Sequence, residues 1–245
     1  MEVLFTYDAL VSLFTLTLME IILGIDNIVF ISIVTAKLPE ESQPRARTIG
    51  LLLALGFRIA LLLGINFIVQ LTYPVIEFSS LPENFTLSWR DIILILGGIF
   101  LMVKTIMEMH EKLEEHEQDG PQKVAKSFMG VILQIIALDV IFSFDSILTA
   151  VGLAKHVEVM IVAVVIALVI MIFAAGPISR FINERPTMKM LALSFLLLIG
   201  FMLIAEGFEQ HVDKGYIYFA MAFAFVVELL NSRLRGGEKK AKVEQ

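Results

Sequence analysis

The chain has 245 residues, of which 58% are hydrophobic and only 18% charged, and its mean hydropathy is +0.84. Soluble domains carry about 45–50% apolar and about 25% charged residues, so the solvent this composition fits is a lipid bilayer, and a soluble enzyme is excluded. The net charge of −6, with no basic arm, argues against a nucleic-acid partner, and the lack of cysteine excludes disulfides, thiolate metal sites and a cysteine nucleophile.

A transmembrane helix needs roughly 20 mostly apolar residues. Seven such stretches follow one another, at about 8–35, 48–73, 90–109, 127–153, 157–178, 188–208 and 215–232. The first has no basic n-region, since Glu2 and Asp8 are the charges before it, and its apolar core is too long for a cleaved signal peptide. The expected fold is therefore an all-α polytopic membrane protein of seven helices in a single domain. The polar tail at 233–245 is expected to lack regular structure.

Lys and Arg collect in cytoplasmic loops. With the N-terminus outside, 15 of the 19 basic residues fall on the inner side; Arg90, Lys155 and Lys214 fall outside, and Arg58 lies within the second span. Tyr7, Tyr73, Trp89, Tyr216 and Tyr218 all fall at the outer ends of spans, where amphipathic aromatics settle. The predicted topology is N-terminus out and C-terminus in.

The first span contains EIILGIDNIVFISIV from Glu20 and the fourth DVIFSFDSILTAVG from Asp139. Aligned, Glu20 matches Asp139, Asp26 matches Asp145, Asn27 matches Ser146 and Ile28 matches Ile147. A shorter echo sets Glu108 and His110 against Glu209 and His211. Three spans separate the two copies, so the copies cross the membrane in opposite directions. This predicts an inverted repeat of three plus three helices (8–109 and 127–208) with the helix at 215–232 appended. In transporters built this way, the substrate site lies near the midplane where the repeats meet.

A carboxylate at the bilayer centre costs at least ~2.5–3.5 kcal/mol on insertion scales, so such residues face the bundle interior and carry function. The plainer alternative is that these acids, neutral or paired with Arg58, only fasten helices together; four acids at a repeated spacing weigh against it. On a regular helix, positions six apart point about 120° away from each other, whereas Glu20 and Asn27, seven apart, share a face, as do Asp139 and Ser146. Either the acids act from different walls of a cavity or the backbone opens locally, with Gly24 the weak point of the first copy. Burial and like-charge neighbours favour the protonated form of a carboxylic acid. A divalent cation would displace such protons, which predicts proton-coupled transport or exchange.

Carboxylate, amide, hydroxyl and water oxygens suit magnesium, calcium or manganese. His110, His116, His156 and His211 lie at span ends or in loops, so zinc and copper lack their favoured ligands in the membrane. The twelve methionines read as packing. Arg58 reads either as a lasting partner of Asp26 or Asp139, or as a surrogate cation that releases an acid when metal enters. Lys104 reads as snorkelling, Glu108 as lining a cytoplasmic vestibule, and Glu206 and Glu228 as interfacial. All seven prolines are expected in loops or near span ends, and the fifth span, apolar from Ile161 to Ala175, is expected to face lipid. The acidic segment from His110 to Gly120 reads as a solvated helical extension.

At LMEIILGIDNIVFISIV and LDVIFSFDSILTAVG the chain resembles the TerC-type integral membrane family, and the likeness continues through RPTMKMLALSFLLLIGFMLIAEGF and HVDKGYIYFAMAFAFVVELLN. It looks closest to the family's short bacterial inner-membrane members. The resemblance implies metal-ion homeostasis, notably manganese export, and points to Glu20, Asp26, Asn27, Asp139, Asp145 and Ser146 as the metal-ligating set. The implied partners are a divalent cation and protons as substrates and the lipid bilayer, with no resident cofactor. Tellurite is not implied as the substrate, because an acidic site repels an oxyanion. The competing readings are an intramembrane aspartyl protease, disfavoured by the extra acids and the absence of a GxGD motif, a membrane scaffold or metal-supply protein in envelope stress, and an exporter of organic cations or amino acids.

Overall fold

In the computed structural model, apolar stretches become helices and short polar stretches become the turns between them. It describes residues 6–78, 85–114, 127–153, 156–210 and 212–243. Helix α1 (Tyr7–Thr35) starts at Thr6, whose hydroxyl accepts from the Ala9 amide, a side-chain cap for an end that would otherwise leave amides unpaired. A short 3₁₀ turn (Glu40–Ser42) leads into α2 (Gln43–Leu63), with Pro44 in the first turn, where no backbone N–H is needed. The predicted second span does not continue to residue 73. It stops at Gly64 and gives way to a short α3 (Ile65–Gln70).

The antiparallel strands β1 (Pro74–Phe78) and β2 (Phe85–Ser88), paired Pro74 to Ser88 and Phe78 to Phe85, then form a hairpin that span-by-span reading did not foresee. The hairpin runs directly into α4 (Trp89–Glu114). Ser88 and Asp91 cap that helix reciprocally: the Asp91 carboxylate accepts from the Ser88 amide at 2.8 Å and the Ser88 hydroxyl accepts from the Asp91 amide at 3.2 Å. The solvated extension is helical through Glu114, and its remainder lies outside the described residues.

The second half comprises α5 (Phe128–Leu153), α6 (Val157–Asn183), α7 (Pro186–Gly207) and α8 (Lys214–Val243). Six of the helices are long and apolar enough to cross a bilayer, and α5 adds an apolar run over Phe128–Phe144. α8 continues to Val243 through the stretch expected to lack structure; Glu238, Lys239, Lys240 and Ala241 are all good helix formers.

The principal contacts are α1 with α6 and α5, α2 with α5 and α6, and α4 with α7. Exchanging α1, α2 and α4 for α5, α6 and α7 leaves that set of neighbours unchanged. α4 and α7 run antiparallel and nearly touch. A Cβ on Gly98 would lie 2.6 Å from the Gly200 carbonyl oxygen, and one on Gly207 would lie 2.8 Å from that of Asp91. Small residues permit this close approach in lipid, where helix association depends on packing.

Two expectations are corrected. α6 is not a lipid-facing helix: Val159, Ala163, Ala167, Met171 and Ala175 form a buried stripe against the bundle, and Val165, Val169 and Phe173 face outward. The stripe was invisible because lipid and protein neighbours are equally apolar, and only the small alanines hint at it. Pro177 stands inside α6, because the helix continues past the predicted span end at 178 to Asn183. Such prolines are tolerated where neighbouring groups satisfy the freed carbonyl.

Candidate functional site

α1 passes through Gly24 unbroken, so Glu20 and Asp26 face different walls of the polar interior. On the first wall stands Arg58 of α2. Its guanidinium pairs through Nη1 with Glu20, through Nη2 with Asp139 Oδ1 at 3.2 Å, and through Nε with the Ser143 hydroxyl at 2.9 Å. Ser143 in turn donates to Asp139 Oδ2 at 3.1 Å. Arg58, Glu20, Asp26 and Asp139 are each more than nine-tenths buried. The planar fork of arginine is suited to holding several acceptors at once, and here it ties α1, α2 and α5 together. Of the two partners foreseen for Arg58, Asp139 is one; Asp26 is not, and Glu20 takes the second place.

The other wall holds Asp26 and Asn27, both buried. Asn27 Nδ2 donates to Asp139 Oδ1 at 3.1 Å, and among the described residues no donor reaches the buried Asn27 Oδ1. Among the described residues no hydrogen bond or ion pair reaches the Asp26 carboxylate. Asp26, Asn27, Arg58 and Ser146 line a cavity of about 40 Å³, to which α8 contributes Lys214 and Tyr218. Ser146 donates to the Ser143 carbonyl at 3.2 Å and faces the Glu20 carboxylate. Asp145 occupies the preceding position of α5, and its side chain lies outside the described residues.

The six expected residues are therefore split. Glu20 and Asp139 meet at Arg58, while Asp26, Asn27 and Ser146 share the cavity. Among the described residues no three His, Asp or Glu side chains are grouped so as to hold a metal ion by themselves. Reading the sequence missed Ser143, whose signal was its place four residues after Asp139, on the same helical face.

Two ionic clusters stand at opposite ends of the α4–α7 pair. At one end Arg90 pairs with Asp91 at 3.4 Å and with Glu206 at 3.1 Å, so Glu206, near the end of α7, is buried against a partner. At the other, Lys37 pairs with Glu108 and Glu111, and Lys189 lies 3.6 Å from Glu108. Burial opposes the charge on Lys37, but the Glu108 and Glu111 carboxylates outweigh it and hold its ammonium above the ordinary lysine range. Lys37, Lys104, Glu108, Glu111 and Gln134 line a cavity of about 280 Å³, so Glu108 does line a vestibule. Lys104 also lies over the Phe100 ring, 5.9 Å from its centroid. His211, from the shorter repeat echo, lies outside the described residues.

Helices spanning a bilayer around buried opposite charges define a polytopic membrane protein with a polar interior. The sequence profile of the integral membrane protein TerC family matches residues 5–242. The chain is 51% identical over 224 residues to the UPF0053 inner membrane protein YgdQ of Escherichia coli K12, covering 91% of this chain and 92% of that one. A UPF0053 protein of Haemophilus influenzae is 48% identical over 231 residues, covering 93% and 95%. The longer UPF0053 protein YegH of E. coli K12 is 48% identical over 220 residues, which are 89% of this chain and 41% of that one. No solved structure matches the chain. The chain belongs to the TerC family of integral membrane proteins, and it is a multi-pass inner-membrane protein.

Proposed function

We propose that this protein is a secondary transporter that exports a hard divalent cation, Mn²⁺ foremost, in exchange for protons. The observation that carries the reading is Asp26, a carboxylate buried inside the membrane bundle, without a partner among the described residues, beside the donorless Oδ1 of Asn27. Arg58 and Lys214 line the same cavity, but among the described residues no ion pair reaches this carboxylate; a buried charge held by no ion pair is costly, so either a guest cation or a proton must neutralise it. Cation arrival and proton departure are then two sides of one exchange. A carboxylate, an amide oxygen and the Ser146 hydroxyl are hard oxygen donors, and a guest that keeps some of its water completes its shell from solvent. Asp145 joins this set in the proposal, as the repeat counterpart of Asp26, and Glu20 and Asp139 act as the charged rear wall.

Cavity size favours an ion over the organic-cation or amino-acid reading. About 40 Å³ accommodates an ion or a few waters, whereas pockets for drug-sized organic molecules run to about 300–1,000 Å³. The reading is of a transporter and not an enzyme: Asp139 is engaged by Arg58, Asn27 and Ser143, which suits a fixed electrostatic wall better than an acid–base dyad. The self-exchanging helix contacts support the inverted repeats, at 8–109 and 127–208. We place the N-terminus outside and the C-terminus in the cytoplasm, on the distribution of basic residues.

Reconstituted in proteoliposomes, the wild type should move Mn²⁺ with counter-flow of protons, and Asp26→Asn and Asp145→Asn should reduce flux at least about tenfold, by the loss of one charged ligand. A wild type that moves no Mn²⁺ would end this reading.

A further inference from the structure

We propose that Arg58 is the positioning residue of the guest site: acting through Asp139, it fixes which end of the Asn27 amide is left for the cation. The inference rests on the transport reading and adds to it a role for Arg58, which lines the same cavity but acts on the guest through its neighbours.

An asparagine amide has a donor end and an acceptor end, and its effect on a cation depends on which end faces it. Here the choice is forced. Asp139 Oδ1 accepts from Asn27 Nδ2 at 3.1 Å, so the donor end is engaged and Oδ1 is the end left over, buried and without a donor among the described residues. Asp139 can hold the amide in this sense because it is itself held as an acceptor. Arg58 Nη2 donates to the same Oδ1 at 3.2 Å, and the Ser143 hydroxyl donates to Oδ2 at 3.1 Å. Ser143 is oriented by the same arginine, since its oxygen accepts from Arg58 Nε at 2.9 Å. One guanidinium thereby fixes both anchors of Asp139, while its third arm rests on Glu20.

Lysine cannot replace this arrangement. It brings the same charge on a single nitrogen, with no fork to span Glu20, Asp139 and Ser143 together. Without the fork, Asp139 has freedom to turn, and the Asn27 amide loses the contact that keeps its NH₂ group out of the cavity. An NH₂ group facing the cavity repels a cation where the oxygen had attracted it. In the rival role, where Arg58 is a surrogate cation competing with the guest, a single nitrogen that grips the acids less firmly than the fork frees them for the guest, so Arg58→Lys should bind Mn²⁺ more tightly.

The test uses the full-length protein in four forms, wild type, Arg58→Lys, Asn27→Ala and the double variant, with Mn²⁺ as the probe. KM and kcat are measured in proteoliposomes, and Kd by equilibrium dialysis in detergent. Partners that orient a metal's ligands typically change affinity by about 10–100-fold when lost. Arg58→Lys should therefore raise KM and Kd by about that factor with kcat little changed, Asn27→Ala should do the same, and the double variant should be no weaker than Asn27→Ala alone. Ser143→Ala, which leaves every charge in place, should shift KM in the same direction and lose its effect when Asn27 is already alanine; it carries the test if Arg58→Lys does not fold. Independent effects that multiply in the double variant would overturn the positioning role, as would tighter binding by Arg58→Lys. Absence of Mn²⁺ binding and flux in the wild type would instead overturn the transport reading itself.

Discussion

Asn27 of α1 and Asp139 of α5 are 112 residues apart in sequence and joined by a buried hydrogen bond of 3.1 Å, from amide to carboxylate. The bond crosses the line between the two sequence copies, linking the third aligned position of one to the first of the other. Replacing Asn27 by Asp would set two carboxylates against each other in a buried place. The expected cost is about 3–5 kcal/mol, as for an uncompensated buried charge. Asn27→Ala should cost about 1.5–3 kcal/mol, the range for one hydrogen bond to a charged group. Denaturant unfolding in detergent micelles measures both, and equal losses would contradict the assignment.

The crossing of α4 and α7 depends on Gly98, whose missing Cβ leaves room for the Gly200 carbonyl. Gly98→Ala should destabilise by about 1–3 kcal/mol through overpacking, because the obstacle is backbone and cannot swing aside. Gly56 of α2 has nothing within 4 Å of its would-be Cβ. Gly56→Ala should therefore be neutral or stabilising by up to about 1 kcal/mol through helix propensity alone. Thermal unfolding of the two variants side by side is the check.

Lys37 holds its proton more tightly in the folded protein than in the unfolded chain, against the cost of burial, because Glu108 and Glu111 face it. A lysine shifted upward contributes its full stabilisation below the ordinary value of about 10.4 and loses it as pH rises through the folded value. The stability difference between wild type and Lys37→Met should thus be flat from pH 7 to about pH 9.5 and shrink above about pH 10.5. A difference that already falls between pH 7 and 9 would contradict the pairing.

α7 ends in a turn with Glu209 at a φ of 58°, the Gln210 amide donating to the Ala205 carbonyl and the Glu209 amide to that of Glu206. This is the bonding pattern of a helix end that normally places glycine at that position. Glu209→Gly should stabilise the protein by about 1 kcal/mol, the penalty a side chain incurs in the left-handed region. Unfolding midpoints of the two proteins decide it.

Much of the site was legible because charge in an apolar span cannot hide. Asp26, Asn27, Asp139 and Ser146 stood out by depth and spacing, and Arg58 by its isolation from any aqueous end. What stayed illegible had either no contrast or no local signal. The buried stripe of α6 is apolar like the lipid-facing residues beside it. Ser143 is a common helix residue until Arg58 arrives from another helix. The pairing of Arg90 with Glu206 joins residues 116 apart, one read as lying outside and the other as interfacial.

The sequence by itself determined that this chain lives in a bilayer and that its interior carries acids at matched depths, because burial cost is a property of composition and spacing along one helix. Only the tertiary structure decided which acids share a partner. Glu20 and Asp139 face Arg58, and Asp26 and Asn27 face a small cavity, because α2 and α5 pack where a three-pronged cation can reach two acids but not the third.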